Sequence, residues 1–394
     1  MTICVNVFLS IFDICWSSFR SRRENKTINN SSRKKHLTMS DWSNLQNQVE
    51  ILMEEKNCLR RQRMSNTYSK NSVMGGKYTL DVALWKLREF EEEFLIVENF
   101  LQDHKTNPTA RETVLRWMVG FHSNLKGVND ETLHISITLM DRYLQENREE
   151  RPSLLQLVAL STLWIASKYL GNMDLEVEDL IFTYSGRPIL KKAVSIMEQL
   201  DFALDHPISL DFLTNYNDIA GVTEKCHFLG QYILELALLK HEMSPIKPSL
   251  QAAAACCLSM GILREVMYLS EVWTPVLITH TGYEIRDFQD LLVRFSILLV
   301  KGKRRKYANI RKKYGSPTYA EISLNPLLNG SISFQFIHPE HQHYADGIKK
   351  RDNFNKSSVN SPKWEDTFLL KVFSLLMLLL IVLVCMFVSN VFYT

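Results

Sequence analysis

Two stretches of small and apolar residues, Leu157–Lys168 (LVALSTLWIASK) and Ala252–Leu263 (AAAACCLSMGIL), constrain this chain more than any other feature. The first follows Pro152-Ser153-Leu154-Leu155-Gln156, and about 96 residues later Pro248-Ser249-Leu250-Gln251 opens the second. Each comes after a helical stretch of similar length, Glu131 to Asn147 and Thr223 to Lys240. Small side chains let neighbours approach a helix on several sides, as the middle helix of a bundle requires. Two copies of one helical unit, each with a crowded central helix, are therefore predicted.

Periodicity agrees. Leu133, Ile137, Met140 and Leu144 share one helix face that opens at Asn129-Asp130 as an N-cap and ends before Pro152. Val114, Trp117, Met118 and Phe121 make a second such face, and Leu190, Val194, Met197 and Leu200 a third that starts near Pro188. No alternating apolar run bounded by turn residues occurs between Tyr78 and Lys301, so the expectation is all-α. With 46% apolar and 23% charged residues, the chain has the makings of a core. Its balance of +3 is too small to mark a nucleic-acid binder by itself. The 7 cysteines form no Cys-x-x-Cys pair, which argues against both a disulfide framework and a zinc site. His206, His227 and His241 lack partners at ligand spacing. No phosphate-binding glycine loop, zinc-protease histidine pair or Gly-x-Ser-x-Gly elbow occurs, and neither a catalytic residue nor a cofactor is expected.

Several ordered segments resemble the cyclin family, specifically its A/B-type mitotic group. They are RETVLRWMVGF (Arg111 to Phe121), NDETLHISITLMDRYL (Asn129 to Leu144), LLQLVALSTLWIASKY (Leu154 to Tyr169), LKKAVSIMEQLDFAL (Leu190 to Leu204) and HPISLDFLTNY (His206 to Tyr216). LGQYILELALL (Leu229 to Leu239), SLQAAAACCLS (Ser249 to Ser259) and KYGSPTYAEISLNPL (Lys313 to Leu327) resemble the family's second box and closing segment. The resemblance implies two tandem five-helix cyclin boxes at 78–205 and 206–328. Residues 1–77 are expected to be mostly disordered, 329–366 a linker and 367–394 a hydrophobic tail. It also implies a regulatory subunit with no catalysis of its own, which binds and activates a cyclin-dependent Ser/Thr kinase at G2/M. Such a subunit docks beside the kinase C-helix and supplies differential binding energy to the active state.

By resemblance, Lys168 matches a kinase-contacting lysine. Glu198 matches the partner glutamate if the helix is aligned on KKAVSIME; aligned on LDFAL, the position falls on Ala193. Phe202 and Leu204 would supply apolar contact. Arg111 and Asp141 match a buried structural ion pair. Val114, Trp117 and Gln156 match a docking patch for Arg-x-Leu peptides, but a degenerate one: Ala110, Thr113, Arg116 and Gly120 replace a methionine, an apolar residue, an aspartate and an acidic group. Trp117 is accordingly expected to serve as core. Beside Lys168, Leu170-Gly171 and Asp174-Leu175 depart from the family's acidic pair and Pro-Pro. Kinase substrates and inhibitors are further partners that the resemblance suggests.

Three features stay outside this reading. Lys301, Lys303, Arg304, Arg305, Lys306, Arg311, Lys312 and Lys313 crowd one stretch without an acid, read as a solvated basic helix end. A nucleic-acid-associated cyclin-fold factor would use that run, with no other support. Val372 to Val388 (VFSLLMLLLIVLVCMFV) with Phe368, Leu369 and Leu370 reaches the about 20 residues that cross a bilayer. A tail anchor, a docked helix and translated non-coding sequence are the readings for it, and its uniformity speaks against docking. An anchor would make the protein a membrane-tethered scaffold, in place of or beside a nuclear or cytoplasmic activator. Ile3 to Trp16 is apolar but has its basic residues after it, the wrong order for a secretory signal; Met39 is an alternative start.

Overall fold

The computed structural model describes residues 77–171, 175, 177–180 and 186–329. The expectations for both terminal regions, including the apolar run, lie outside these residues.

The order is α1 (Lys77–Glu91), α2 (Pro108–His122), α3 (Asp130–Glu146), α4 (Leu155–Tyr169), α5 (Gly186–Gln199), α6 (Ser209–Ala220), α7 (Glu224–Leu238), α8 (Pro248–Leu263), α9 (Pro275–Thr281), α10 (Gln289–Lys301) and α11 (Ala308–Tyr314), joined by short 3-10 turns. No strand occurs among the described residues. Local chemistry sets the helix starts. Asn107 Oδ1 accepts from Ala110 N at 2.8 Å, with Pro108 at the first helical position of α2. Asn129 Oδ1 accepts from Thr132 N at 3.1 Å and so caps α3 at its predicted start. Pro248 opens α8, and Gly221, with φ +58°, ends α6 in the left-handed region.

Both repeated helices are central. α4 packs against α2, α3 and α5, while α8 packs against α6, α7 and α10. Of the residues of α4 only Gln156 escapes full burial. With the turn before it, α4 is long and apolar enough to cross a membrane, but here it is the axis of a packed helical core. The hydroxyls of these helices are answered inside: Ser161 Oγ donates to Ile189 O at 2.9 Å, and Ser259 Oγ donates to Cys256 O at 3.0 Å. Among the described residues the second box shows five helices, α6 to α10, and the first shows α2 to α5 with the 3-10 turn Val177–Leu180 before α5.

α1 docks against the second box. Arg88 Nη1 donates to Thr281 O at 2.6 Å, its guanidinium stacks on Tyr283, and the Glu91 carboxylate accepts from Ser249 N at 2.9 Å. Burial pushes the Glu91 carboxyl above its usual range, against the pull of the Ser249 hydrogen bonds.

Candidate partner-binding face and its supports

Arg111, on α2, is fully buried, and Asp141, on α3, nearly so. Arg111 Nε donates to Asp141 Oδ1 at 2.6 Å and Nη2 to Oδ2 at 2.5 Å, a bidentate fork. Nη2 also donates to Leu238 O at 3.1 Å and Ser244 Oγ at 3.2 Å, and Ser244 Oγ donates to Asp141 Oδ2 at 2.8 Å. The pair therefore fastens the second box as well as joining two helices of the first.

Lys168 occupies the last turn of α4 and is 3% exposed. The next residue, Tyr169, donates through its hydroxyl to Asp205 Oδ1 at 2.6 Å, which brings the end of α4 to the exit of α5. That exit is a tight turn with Asp201 at φ +49° and Phe202 at φ +55°, a left-handed pair costing roughly 1–2 kcal/mol per residue. Phe202 N bonds Met197 O at 2.9 Å, and Arg142 Nη1 donates to Ala203 O at 2.7 Å while its guanidinium lies 4.7 Å from the Phe94 ring centre. Burial carries the Arg142 pKa down to about 10.

Glu198 is exposed in the last turn of α5, whereas Ala193 is fully buried, so only the first of the two alignments puts the position on the surface. Phe202 is half-buried. Leu204, expected to offer apolar surface, is 1% exposed and instead fills the space beneath the turn.

On α2, Val114 and Trp117 are half-buried, as is Gln156 at the start of α4. Trp117 stacks on Phe121 with ring centres 5.4 Å apart, so it is not the core residue its degenerate surroundings suggested. The replaced positions have been put to another use. A Cβ on Gly120 would lie 2.4 Å from Asn309 Nδ2, Asn309 Nδ2 donates to Arg116 O at 3.3 Å, and Arg116 Nη1 donates to Lys306 O at 3.3 Å. The closing segment thus lies against α2 where the family carries an acid.

The basic run is not wholly solvated, a correction that rests on the buried Lys313. Lys313 is 7% exposed, and its ammonium lies 2.8 Å from Asp130 Oδ1 and bonds the fully buried Glu235. Tyr314 donates to Glu235 Oε2 at 2.9 Å and Tyr319 to Asp130 at 3.0 Å. Burial works against the Lys313 charge, but Glu235 and Asp130 hold its pKa above the ordinary lysine value. Lys306 pairs with Glu112 at 2.9 Å, and Lys240 does so at 2.7 Å. Burial alone would raise the Glu112 pKa; the hydrogen bonds from these lysines bring it down to about 2. One signal pointed to the buried cluster: Glu235 stands alone amid Ile233, Leu234, Leu236 and Ala237.

Paired helical boxes, each wound about a small-residue axis, and joined through one buried arginine–aspartate fork, define the class. Residues 83–205 match the model of the cyclin N-terminal domain and residues 207–327 that of the cyclin C-terminal domain. The chain belongs to the cyclin family. Its relatives set it within the mitotic A/B group. A G2/mitotic-specific cyclin-B of Patella vulgata is 28% identical over 62% of this chain and 59% of its own length. A cyclin-B1 of Xenopus laevis is 27% identical over 68% and 67%, and a cyclin-B2 of Oryzias luzonensis 30% identical over 65% and 66%. The chain thus spans about three fifths to two thirds of these relatives. The X-ray structure of a viral cyclin from herpesvirus saimiri aligns with a TM-score of 0.47 at 14% identity, over 61% of this chain and 97% of that one.

Proposed function

We propose that this chain is a regulatory subunit that binds a cyclin-dependent Ser/Thr kinase and holds it active at the G2-to-mitosis transition. The observation that carries the reading is the meeting of the α4 end with the α5 exit turn, where Tyr169 bonds Asp205. Lys168, Glu198 and Phe202 stand at these two ends, the positions that the family resemblance marks for kinase contact. Phe202 and Glu198 make the direct contacts. Lys168, 3% exposed, acts through its outermost atoms and stiffens the surface beneath. The kinase is activated because its ordered C-helix state is the one this rigid end binds better.

The test is co-purification of the full chain with a mitotic Ser/Thr kinase, followed by phosphate transfer to a protein substrate. A rate gain on binding is expected, and Phe202→Ala is expected to weaken binding about tenfold. Failure to bind overturns the reading. Binding with no rate gain replaces the activator by a scaffold. The filled position at Gly120 adds a second expectation: a fluorescent Arg-x-Leu peptide shows no saturable binding to the full chain, because no acid meets its arginine.

A further inference from the structure

Lys301, Lys303, Arg311 and Lys312 make no ion pair among the described residues, and residues 301–320 contain no acid at all. Lys301 ends α10, Lys303 follows it, and Arg311 and Lys312 lie on α11. Lys301 feels Lys240, Arg304 and Lys306, and after burial it is their repulsion that lowers its pKa, with Glu242 opposing. Lys303 is likewise lowered by burial and then by Arg311. Cations that depress one another on a folded surface leave a positive field for an anionic partner to occupy.

The last described residues fall in the same place. Lys303 Nζ donates to Leu328 O. Leu324, 53% exposed, packs beside Gly315 at the end of α11, and Ser323 Oγ donates to Arg311 O at 2.7 Å. Leu324 shares its turn with one exposed acid, Glu321, whose carbonyl its N–H bonds at 2.9 Å. An exposed leucine beside an excess of lysines and arginines matches the chemistry of a lipid interface: charge for the headgroups, an apolar side chain for the acyl boundary. Roughly 40 residues separate Leu328 from Phe368, where the apolar run begins. At no more than about 3.5 Å per residue, a segment of that length keeps its two ends within roughly 140 Å, so an inserted run would confine the patch near the headgroups.

We propose that the cationic end of the second box, Lys301, Lys303, Arg311 and Lys312 with Leu324 at its edge, is a docking surface for an anionic lipid bilayer. Single-stranded nucleic acid would also answer the charge, but Tyr307 and Tyr314 in this stretch are buried and offer no stacking platform; for duplex DNA, which needs no such platform, the exposed apolar Leu324 is the feature that favours a bilayer. This inference is independent of the kinase reading.

The test is co-sedimentation of the full chain with vesicles of pure phosphatidylcholine and of phosphatidylcholine with 30% phosphatidylserine (about 0.1 M salt). Each basic residue near such a surface contributes about fivefold, so the anionic vesicles are expected to bind at least about 100-fold more tightly. The exposed pair Arg311→Glu with Lys312→Glu is expected to cost about 25-fold or more on anionic vesicles and nothing on neutral ones. Raising salt to about 0.5 M should abolish the preference. Binding to neutral vesicles reports the apolar run alone, so the patch is measured by the difference between anionic and neutral vesicles. Equal binding of parent and double variant to anionic vesicles overturns the proposal. So does a charge-dependent gain on duplex DNA with none on phosphatidylserine.

Discussion

Arg111→Met is expected to lower the unfolding free energy by about 3–5 kcal/mol, because it strands the Asp141 carboxylate in a site that is 3% exposed. Asp141 would keep the Ser244 hydroxyl, at 2.8 Å, and lose both guanidinium bonds. Leu238 O and Ser244 Oγ would lose their Arg111 donor too, so the tie to the second box weakens with the first box's own core. Two signatures follow in urea denaturation, followed by far-ultraviolet circular dichroism and tryptophan fluorescence. The midpoint should fall, and the two probes should cease to coincide, as expected when one cooperative unit becomes two. Arg111→Met combined with Asp141→Leu should recover part of the loss, since no charge is then left buried. A double variant as unstable as the single one would show that packing volume, not the stranded charge, sets the cost.

That fork was legible in the sequence because both residues sit inside motifs whose order survives. The central helices were legible for a different reason. A helix buried on every side must be mostly apolar, with small residues where its neighbours come close, and Leu157–Lys168 and Ala252–Leu263 carry that pattern along most of their length. The Asn129 cap is similarly local. What stayed hidden is what depends on contacts between distant segments. Lys313 looks like any member of a basic run until α11 folds across α7 and α3 and brings Glu235 and Asp130 to its ammonium. Gly120 reads as a lost acid, and only the placement of Asn309 shows that a side chain there would have to displace its amide. Leu204 is buried, against expectation, because the left-handed pair Asp201–Phe202 turns the chain inward one step sooner than a continuing helix would. Partner-facing residues are harder still: exposure alone separates Glu198 from Ala193, and exposure is a property of the whole fold.

Lowering the pH from 7 to 5 is expected to remove about 3–4 kcal/mol of stability through two histidines that the fold holds neutral. His122 and His134 are 3% and 1% exposed. Burial brings the His122 pKa to about 4 and the His134 pKa to about 3, from 6.5 in an exposed chain. Lys313 across the cluster pushes both the same way, His122 adds to the effect on His134, and Asp130 opposes for both. His122 Nε2 is engaged by Asn129 O at 2.9 Å, while His122 Nδ1 and His134 Nε2 have no hydrogen-bond partner among the described residues. The sign follows from which state binds protons. Below pH 6.5 the unfolded chain takes up both protons and the folded one neither, so stability falls with acidification until the folded values near 4 and 3 are reached. Glu235, raised by burial, acts in the opposite sense just above pH 4.5 and offsets a part of the slope there. Below pH 4.5 Glu112 takes over the loss, since its carboxylate, held at about 2, favours the folded state only while ionised. Urea midpoints at pH 7, 6 and 5 measure the slope. His134→Gln should flatten it by about half whatever its effect at pH 7, because one proton of the two is gone. An unchanged slope in that variant, with the fold intact by circular dichroism, would mean that other groups carry the acid sensitivity.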